Sequence, residues 1–367
     1  MRTDRRWVQR LISEEKPAAA VLLLAGAFGL LVATALGAHG TDRLLHPTLA
    51  GMTVDLPWLA ADGLLVIFFF VAGLELRHEI KSGSLATVRE AAVPVAAAVL
   101  GMVVPAVLFL VTAPTQVRDA WGVPMATDLP LALALVAVAG QGLPLEFRAF
   151  ILSLAIVDDA LSILVIAGVF GQGVSLAWCT LTAVGVIAYS FVQRHSGRLA
   201  LLVASATWLA MLQTGIHPTV LGVILGLVTV TQGDALRDRW QPVSGLIAVP
   251  LFVATSLAIP VSASAIDGRL ALSITMARVL GKPLGILIGA MLAVRLLHPA
   301  SRLSARAYAT AGSVAGLGFS VSMLFAELGL DAEVQTSVKT AILLAMGFSG
   351  VVGALALLGL RRSALSE

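Results

Sequence analysis

Charged side chains interrupt several apolar stretches of this sequence, and two of them are adjacent. Asp158 and Asp159 lie side by side in LSLAIVDDALSILVIAG, while Asp128, Arg278 and Lys282 occupy other apolar stretches. A charge at the centre of a membrane span costs about 2.5–3.5 kcal/mol on insertion scales, so such residues are rare and usually functional. If these stretches cross a membrane, the expected chemistry is that of an ion or proton pathway.

The adjacent aspartates are the strongest candidate for a binding site. Neighbours on a helix point about 100° apart, so one helix can present both carboxylates to a shared cavity. Two like charges cannot both ionise cheaply in a low dielectric, and hard cations such as Na⁺ prefer oxygen ligands, by analogy with Ca²⁺ and Mg²⁺. Asp158 and Asp159 therefore predict one site where a cation and protons compete. The alternative is a structural pair, with each carboxylate hydrogen-bonded to a neighbouring helix.

Lys282, in VLGKPLGIL, is the expected counter-charge for this pair. A buried ammonium group is unfavourable unless it is paired, and the alternative is a lysine that snorkels to the membrane interface. Its position about fifteen residues into a long span argues against snorkelling. Arg278 lies four residues earlier on the same helix face, and its role is left open between structure and function.

Two apolar segments contain features that interrupt a helix. Pro124 and Pro130 bracket Asp128, and proline removes a backbone hydrogen bond; in the other segment, glycines recur from Gly312 to Gly318. Broken helices survive within membranes only where they line a cavity or are buried in protein. Paired interruptions therefore point to a transporter binding site, although each break alone could be an ordinary kink.

Three further ionisable residues are weaker candidates. Glu75 and Asp62 lie in or near the second apolar segment, and His217 begins the eighth. A histidine near a membrane end is more often a packing or interfacial residue than a sensor.

The composition indicates which kind of secondary structure must position these residues. Of 367 residues, 58% are hydrophobic and 12% charged, against about 25% charged in a typical soluble domain. A soluble protein of this size needs many polar residues on its solvated surface. So large an apolar fraction therefore favours a polytopic α-helical membrane protein. The net charge of +3 comes from basic residues in short gaps, so it excludes the clustered basic face that nucleic-acid binding requires.

About twelve segments of spanning length are predicted, within a single transmembrane domain covering 1–367. Several are short for the hydrocarbon core, and the 198–231 region can be parsed differently. The polar stretch 232–241 is expected to be a loop. The segments are 18–38, 59–76, 91–113, 122–140, 147–169, 174–193, 198–213, 216–231, 243–262, 268–294, 306–328 and 335–360.

Orientation follows from the lysines and arginines between the segments. With the N-terminus inside, about 18 of the 24 fall on the inner side, which favours cytoplasmic termini. Four arginines precede the first apolar run and resemble a signal peptide, but the run is long enough to span, so we expect a retained first helix. Cys179 lies alone in an apolar stretch and cannot form an internal disulfide.

Several motifs, in order along nearly the whole chain, resemble the NhaA family of bacterial sodium–proton antiporters. The Asp-Asp and Gly-Lys-Pro-Leu-Gly elements are specific to it, and interrupted helices in inverted repeats are a known feature of that family. The matching stretches are FFFVAGLELRHEI and GSLATVREA within 68–92, ATDLPLALA at 126–134, LSLAIVDDALSI at 152–163, GIHPTVLGVILG at 215–226, GKPLGI at 281–286 and GLGFSVSMLFAEL at 316–328.

The resemblance implies a role for each matched residue. Asp158 and Asp159 would form the Na⁺ and proton site, with Lys282 as the partner of Asp158. Thr127 and Asp128 would belong to two crossed, interrupted helices, the fourth and eleventh. Glu75 would line the cytoplasmic funnel, and His217 would match a position linked to pH response, although the segments associated with pH regulation depart from the family pattern.

The resemblance also implies an activity and a setting. The protein would be an electrogenic Na⁺ or Li⁺/H⁺ antiporter of the bacterial inner membrane, involved in pH and sodium homeostasis, with no cofactor. It would be a transporter and not an enzyme, would bind lipid but not nucleic acid, and could be a homodimer.

Three alternatives stay open at this stage. A sodium-coupled organic-anion transporter would want a roomy polar or basic pocket, whereas this sequence offers compact carboxylates and one lysine. An intramembrane aspartyl protease would place its two aspartates on separate helices. An inactive relative would not need the complete Asp-Asp and Lys set.

Overall fold

The computed structural model describes residues 5–49, 52–171, 173–231, 233–259, 267–298 and 303–365, and these are almost entirely helical. The helices are α1 (Arg5–Leu45), α2 (Leu56–Ser82), α3 (Val88–Thr112), the 3₁₀ helix α4 (Thr115–Met125), α5 (Leu129–Ala139), α6 (Leu145–Val169), α7 (Leu176–Val192), α8 (Gly197–Met211), α9 (Thr219–Val228), α10 (Gly233–Val243), α11 (Val249–Ser256), α12 (Gly268–Leu297), α13 (Ala305–Ala315), α14 (Ser320–Gly329) and α15 (Ala332–Leu365). A short antiparallel ribbon pairs β1 (Thr48–Leu49) with β2 (Met52–Thr53).

The predicted all-α polytopic membrane class is confirmed. Among the described residues, six helices are long and apolar enough to cross a membrane, or eight when two bent pairs each count as one span. The remaining apolar segments form shorter helices, α7, α8 and α9 among them. The count of twelve spans therefore stays a prediction, and the 198–231 region is divided between α8 and α9.

The two expected interruptions are present. Helices α4 and α5 bend by 57° across residues 126–128, and α13 and α14 bend by 58° across residues 316–319. Each bent pair lies between two long helices, α3 and α6 for the first and α12 and α15 for the second. This common order agrees with the predicted repeats; their inverted relation stays a prediction.

Proline explains two local distortions of the helices. The backbone N–H of Lys282 bonds to the Ala277 carbonyl in a π turn, Ala277–Gly281, inside α12. Pro283 follows at once and has no N–H to continue the α-helical pattern. The π turn Ser244–Ala248 between α10 and α11 precedes Pro250 in the same way.

The prediction of a loop at 232–241 is wrong. Apart from Gln232, which lies outside the described residues, this stretch belongs to α10. Its polarity reflects an amphipathic helix, with Asp234 in the first turn and the Arg237 side chain buried. Such a helix needs only one apolar face, so polar composition alone does not indicate a loop.

The protein interior encloses α6 more than any other long helix. In the most apolar 18-residue stretch of α6, 78% of the residues are buried, whereas 28–44% are buried in the corresponding stretches of the other five long helices. The residues at the two breaks are also buried, including Ala126, Leu317 and Phe319. The fold therefore surrounds the aspartate pair with protein.

Candidate functional site

Lys282 and Asp158 form a buried ion pair between α12 and α6. The Lys282 Nζ atom lies 3.0 Å from Asp158 Oδ2, and both residues are 1% exposed. Lys282 also donates to the carbonyl oxygen of Met125 at the end of α4. One ammonium group thus joins the aspartate helix to the first broken segment, and Lys282 does not snorkel to an interface.

Asp159 is the carboxylate without a partner. It is 3% exposed, and its side chain forms no hydrogen bond or ion pair with any described residue. Its charge interacts with those of Asp158, Asp128, Glu75 and Lys282. Three of these four neighbours are carboxylates, so a cation beside Asp159 would relieve repulsion.

Asp128 holds the two breaks together. Its Oδ1 accepts from the backbone N–H of Leu131 at 3.3 Å, which caps the start of α5. Its Oδ2 accepts from the backbone N–H of Ser320 at 3.1 Å and from the Ser320 hydroxyl at 2.6 Å, at the start of α14. A single carboxylate therefore lies at the positive ends of two half-helices.

Thr127 contributes to the same junction through its side chain. Its hydroxyl donates to the carbonyl oxygen of Ala315 at 3.0 Å, and the backbone N–H of Asp128 bonds to the Leu317 carbonyl at 2.7 Å. Both contacts join residues 126–128 to the end of α13. Thr127 is thus placed in the crossing, where its hydroxyl donates to a backbone carbonyl.

Arg278 is a second buried cation of this region, and its hydrogen bonds go to a backbone carbonyl and a hydroxyl. One guanidinium nitrogen, Nη2, donates to the carbonyl oxygen of Val123 at 3.1 Å and to the Ser322 hydroxyl at 2.6 Å. Ser322 in turn donates to the Val123 carbonyl at 2.9 Å. Arg278 therefore ties the end of α4 to the start of α14, through a carbonyl two residues before the one that Lys282 contacts.

Glu75 is buried on α2 and interacts electrostatically with Asp159. One turn further, sequence reasoning missed a buried polar cluster around Glu79. Glu79 Oε2 accepts from the Ser84 backbone N–H and hydroxyl, both at 2.8 Å, and from the Ser153 hydroxyl at 3.4 Å. The spacing of Glu79 four residues after Glu75 on one helix face was the available signal.

His217 contacts a different set of residues. Its Nε2 lies 3.6 Å from Asp62 Oδ1, and its Nδ1 lies 2.8 Å from the Thr219 hydroxyl. Among the described residues it contacts neither Asp158 nor Asp159 through a hydrogen bond or ion pair. The structure thus groups Asp62 with His217, and separates this pair from the cluster of Asp158, Lys282 and Asp128.

Comparisons with known proteins agree with this architecture. A family model described as "Na+/H+ antiporter 1" matches residues 9–357. A protein named Na(+)/H(+) antiporter NhaA from Nocardia farcinica is 36% identical over 95% of this chain and 90% of its own length. A second, named Na(+)/H(+) antiporter NhaA 2, from Clavibacter michiganensis, is 38% identical over 95% of this chain and 91% of its own length.

A solved structure supports the fold. The sodium proton antiporter MjNhaP1 from Methanocaldococcus jannaschii matches with a TM-score of 0.63 at 14% identity, over 95% of this chain and 98% of that one. At this identity the match concerns the fold alone. The family match over most of the chain establishes membership: this chain belongs to the Na⁺/H⁺ antiporter 1 family, the family of the NhaA proteins.

Proposed function

We propose that this protein exchanges Na⁺ or Li⁺ for protons across the bacterial inner membrane, at a site formed by Asp158 and Asp159. The observation that carries the proposal is the buried Lys282–Asp158 pair next to two broken helices, beside an Asp159 that has no partner among the described residues. Family membership supports the ions, because the relatives are named Na⁺/H⁺ antiporters.

The geometry suggests how binding begins. Within the described part of the chain, Asp159 forms no hydrogen bond or ion pair that an ion would have to displace, so it is the first carboxylate available to a cation or a proton. Asp158 is neutralised by Lys282, so a cation that binds both aspartates must compete with the ammonium group. Cation binding therefore loosens the contact between α6 and α12, and proton binding restores it.

Transport would follow by alternating access. Facing the cytoplasm, Asp159 and the Lys282–Asp158 pair each release one proton as Na⁺ binds the two carboxylates; facing outward, external protons displace the ion and restore the pair. Because two protons are exchanged for one Na⁺, more protons enter than sodium ions leave, and the exchange is electrogenic. Glu75, which lies on α2 and interacts electrostatically with Asp159, would line the cytoplasmic approach.

The crossing of the broken helices supplies fixed charges for these steps. Asp128 lies at two helix N-termini, and Arg278 and Lys282 donate to carbonyls at the C-terminal end of α4. Each charge has the sign that its helix end favours. This complementarity supports a role for Asp128 and Thr127. They would stabilise the non-helical backbone of the two breaks, beside the ion and within the membrane.

The wider setting is part of the proposal. We place both termini in the cytoplasm, in a single transmembrane transporter domain that can assemble as a homodimer. His217, paired with Asp62, would affect the pH response without touching the ion.

The first experiment is dissipation of a pH gradient in everted vesicles on addition of Na⁺, Li⁺ or K⁺, from mildly acidic to mildly alkaline pH. Dissipation by Na⁺ or Li⁺ but not K⁺, lost in Asp159→Asn, is the expected result. No response from inserted wild-type protein at any pH would contradict the proposed exchange. Sodium-dependent exchange that persists in Asp159→Asn would contradict the site.

A further inference from the structure

Helix α6 carries two buried side-chain oxygen atoms that have no hydrogen-bond partner among the residues that the structure describes. They are Asp158 Oδ1 and Ser162 Oγ. Ser162 is 0% exposed. A buried hydroxyl on a helix usually donates to the carbonyl four residues earlier, as Ser153 on the same helix does to Ala149 at 2.9 Å. Because an unsatisfied buried polar group is unfavourable, this hydroxyl calls for a ligand or a water molecule.

The helix places Ser162 on the face of the aspartate pair. At about 100° per residue, Asp159 points about 100° and Ser162 about 40° away from Asp158 around the helix axis. Viewed down the helix axis, Ser162 therefore points between the directions of the two carboxylates, and it lies one turn further along the helix. Side chains on a helix lean toward its N-terminus, which directs the hydroxyl back toward the pair.

We propose that Ser162 is a further oxygen ligand of the transported cation, together with Asp158 and Asp159. This inference rests on the proposed function, because it concerns the same ion. A desolvated alkali cation needs several oxygen ligands, and Lys282 leaves Asp158 Oδ1 free to be one of them. Ser162 supplies a neutral oxygen on the same face of α6, one turn from this atom.

A hydroxyl ligand affects the two substrates differently. The serine hydroxyl does not titrate in the physiological range, so it adds to the affinity for the cation and not to the binding of protons at the carboxylates. Ser162 thus favours the cation in the competition between the two. Its loss weakens Na⁺ binding and leaves the carboxylates able to exchange.

The test compares three substitutions at Ser162 with one remote control. Ser162→Ala removes the oxygen, Ser162→Cys replaces it with a soft sulfur that binds alkali ions poorly, and Ser162→Thr retains it. The control is Thr182→Val. Thr182 also carries a buried hydroxyl that has no partner in the described ranges, but it lies on α7, which packs against α8 and α9.

Two measurements apply to every variant: the apparent KM for Na⁺ and Li⁺ in everted vesicles at alkaline pH, and the Na⁺ concentration that half-maximally stabilises the purified protein against heat. We expect both to rise roughly three- to tenfold in Ser162→Ala and Ser162→Cys, the range that one hydrogen-bond-like contact supplies. Ser162→Thr and Thr182→Val should stay near the wild-type values, and the maximal rate should change little in all four.

Wild-type values in Ser162→Ala and Ser162→Cys would overturn the assignment, and would mean that the hydroxyl holds only water. If Ser162→Ala fails to insert, equal KM values in Ser162→Cys and Ser162→Thr would overturn it as well. The failure of the proposed function is distinguishable, because the wild type would then show neither exchange nor stabilisation by Na⁺ or Li⁺.

Discussion

The carboxylate of Asp128 lies 2.6 Å from the hydroxyl of Ser320, although 192 residues separate them in the sequence. The bond joins the break after α4 to the break after α13, and the Ser320 backbone N–H adds a second bond to the same oxygen. Two interrupted helices, each unstable in hydrocarbon by itself, satisfy their exposed backbone groups through each other.

Substitution of Ser320 should weaken this junction. Ser320→Ala removes the shorter of the two bonds to Asp128 Oδ2 and leaves the backbone N–H, so we expect a loss of about 1–2 kcal/mol in the free energy of unfolding. The measurement is thermal or denaturant unfolding of the purified protein in detergent. Ser313→Ala is the matched control, because its hydroxyl donates only to the Ala309 carbonyl within α13. Equal stability of the two variants would contradict the bridging role.

The Lys282–Asp158 pair should be strongly coupled in stability. Lys282→Gln leaves the Asp158 charge buried without compensation, which costs about 3–5 kcal/mol for pairs of this kind. Lys282→Gln combined with Asp158→Asn removes both charges, so it should be less destabilised than Lys282→Gln alone. Unfolding measurements on the two single variants and the double variant form a thermodynamic cycle, and additive effects would argue against the pair.

Arg278 should prove structurally necessary. Arg278→Ala removes its contacts with Val123 and Ser322 and leaves a cavity in the interior, so we expect destabilisation by about 3 kcal/mol or more. Arg278→Lys retains a charge and a donor and should lose less. Stability is measured as for Ser320→Ala, and Arg295→Ala, at the last turn of α12, is the control. A stable Arg278→Ala protein would show that the two broken helices do not depend on this guanidinium.

His217 should be dispensable for the exchange itself. Its contacts are with Asp62 and Thr219 and not with the aspartate pair. Because His217 shares no hydrogen bond or ion pair with the described residues of the ion site, we expect His217→Ala to retain the maximal exchange rate within about twofold. The rate is measured in everted vesicles at saturating Na⁺ over a range of pH. Complete loss of exchange by inserted His217→Ala protein would place this residue in the ion pathway.

Much of the architecture can be predicted from the sequence because the membrane constrains each segment locally. Apolar runs of spanning length indicate helices, and charged residues within them indicate function, independently of the rest of the chain. Pro130 beside Asp128, and the glycines from Gly312 to Gly318, disrupt helices through their own backbone chemistry, so both breaks were predictable from nearby residues.

Two elements, α10 and the β1–β2 ribbon, could not be predicted from the local sequence. The stretch after Gln232 is polar, but one buried face suffices to hold it as α10. The short β1–β2 ribbon has no periodic signal in so few residues.

What only the tertiary structure decided is which groups meet. The partners of Lys282 are 124 and 157 residues away in the sequence, and Arg278 contacts two residues that lie on opposite broken helices. No periodicity encodes such pairings, because they arise when helices from distant parts of the chain pack at the breaks. The sequence by itself determined the membrane class and the candidate ionisable residues. The packing decided that Lys282 neutralises Asp158, that Asp128 bridges both breaks, and that Asp159 and the hydroxyl of Ser162 find no partner among the described residues.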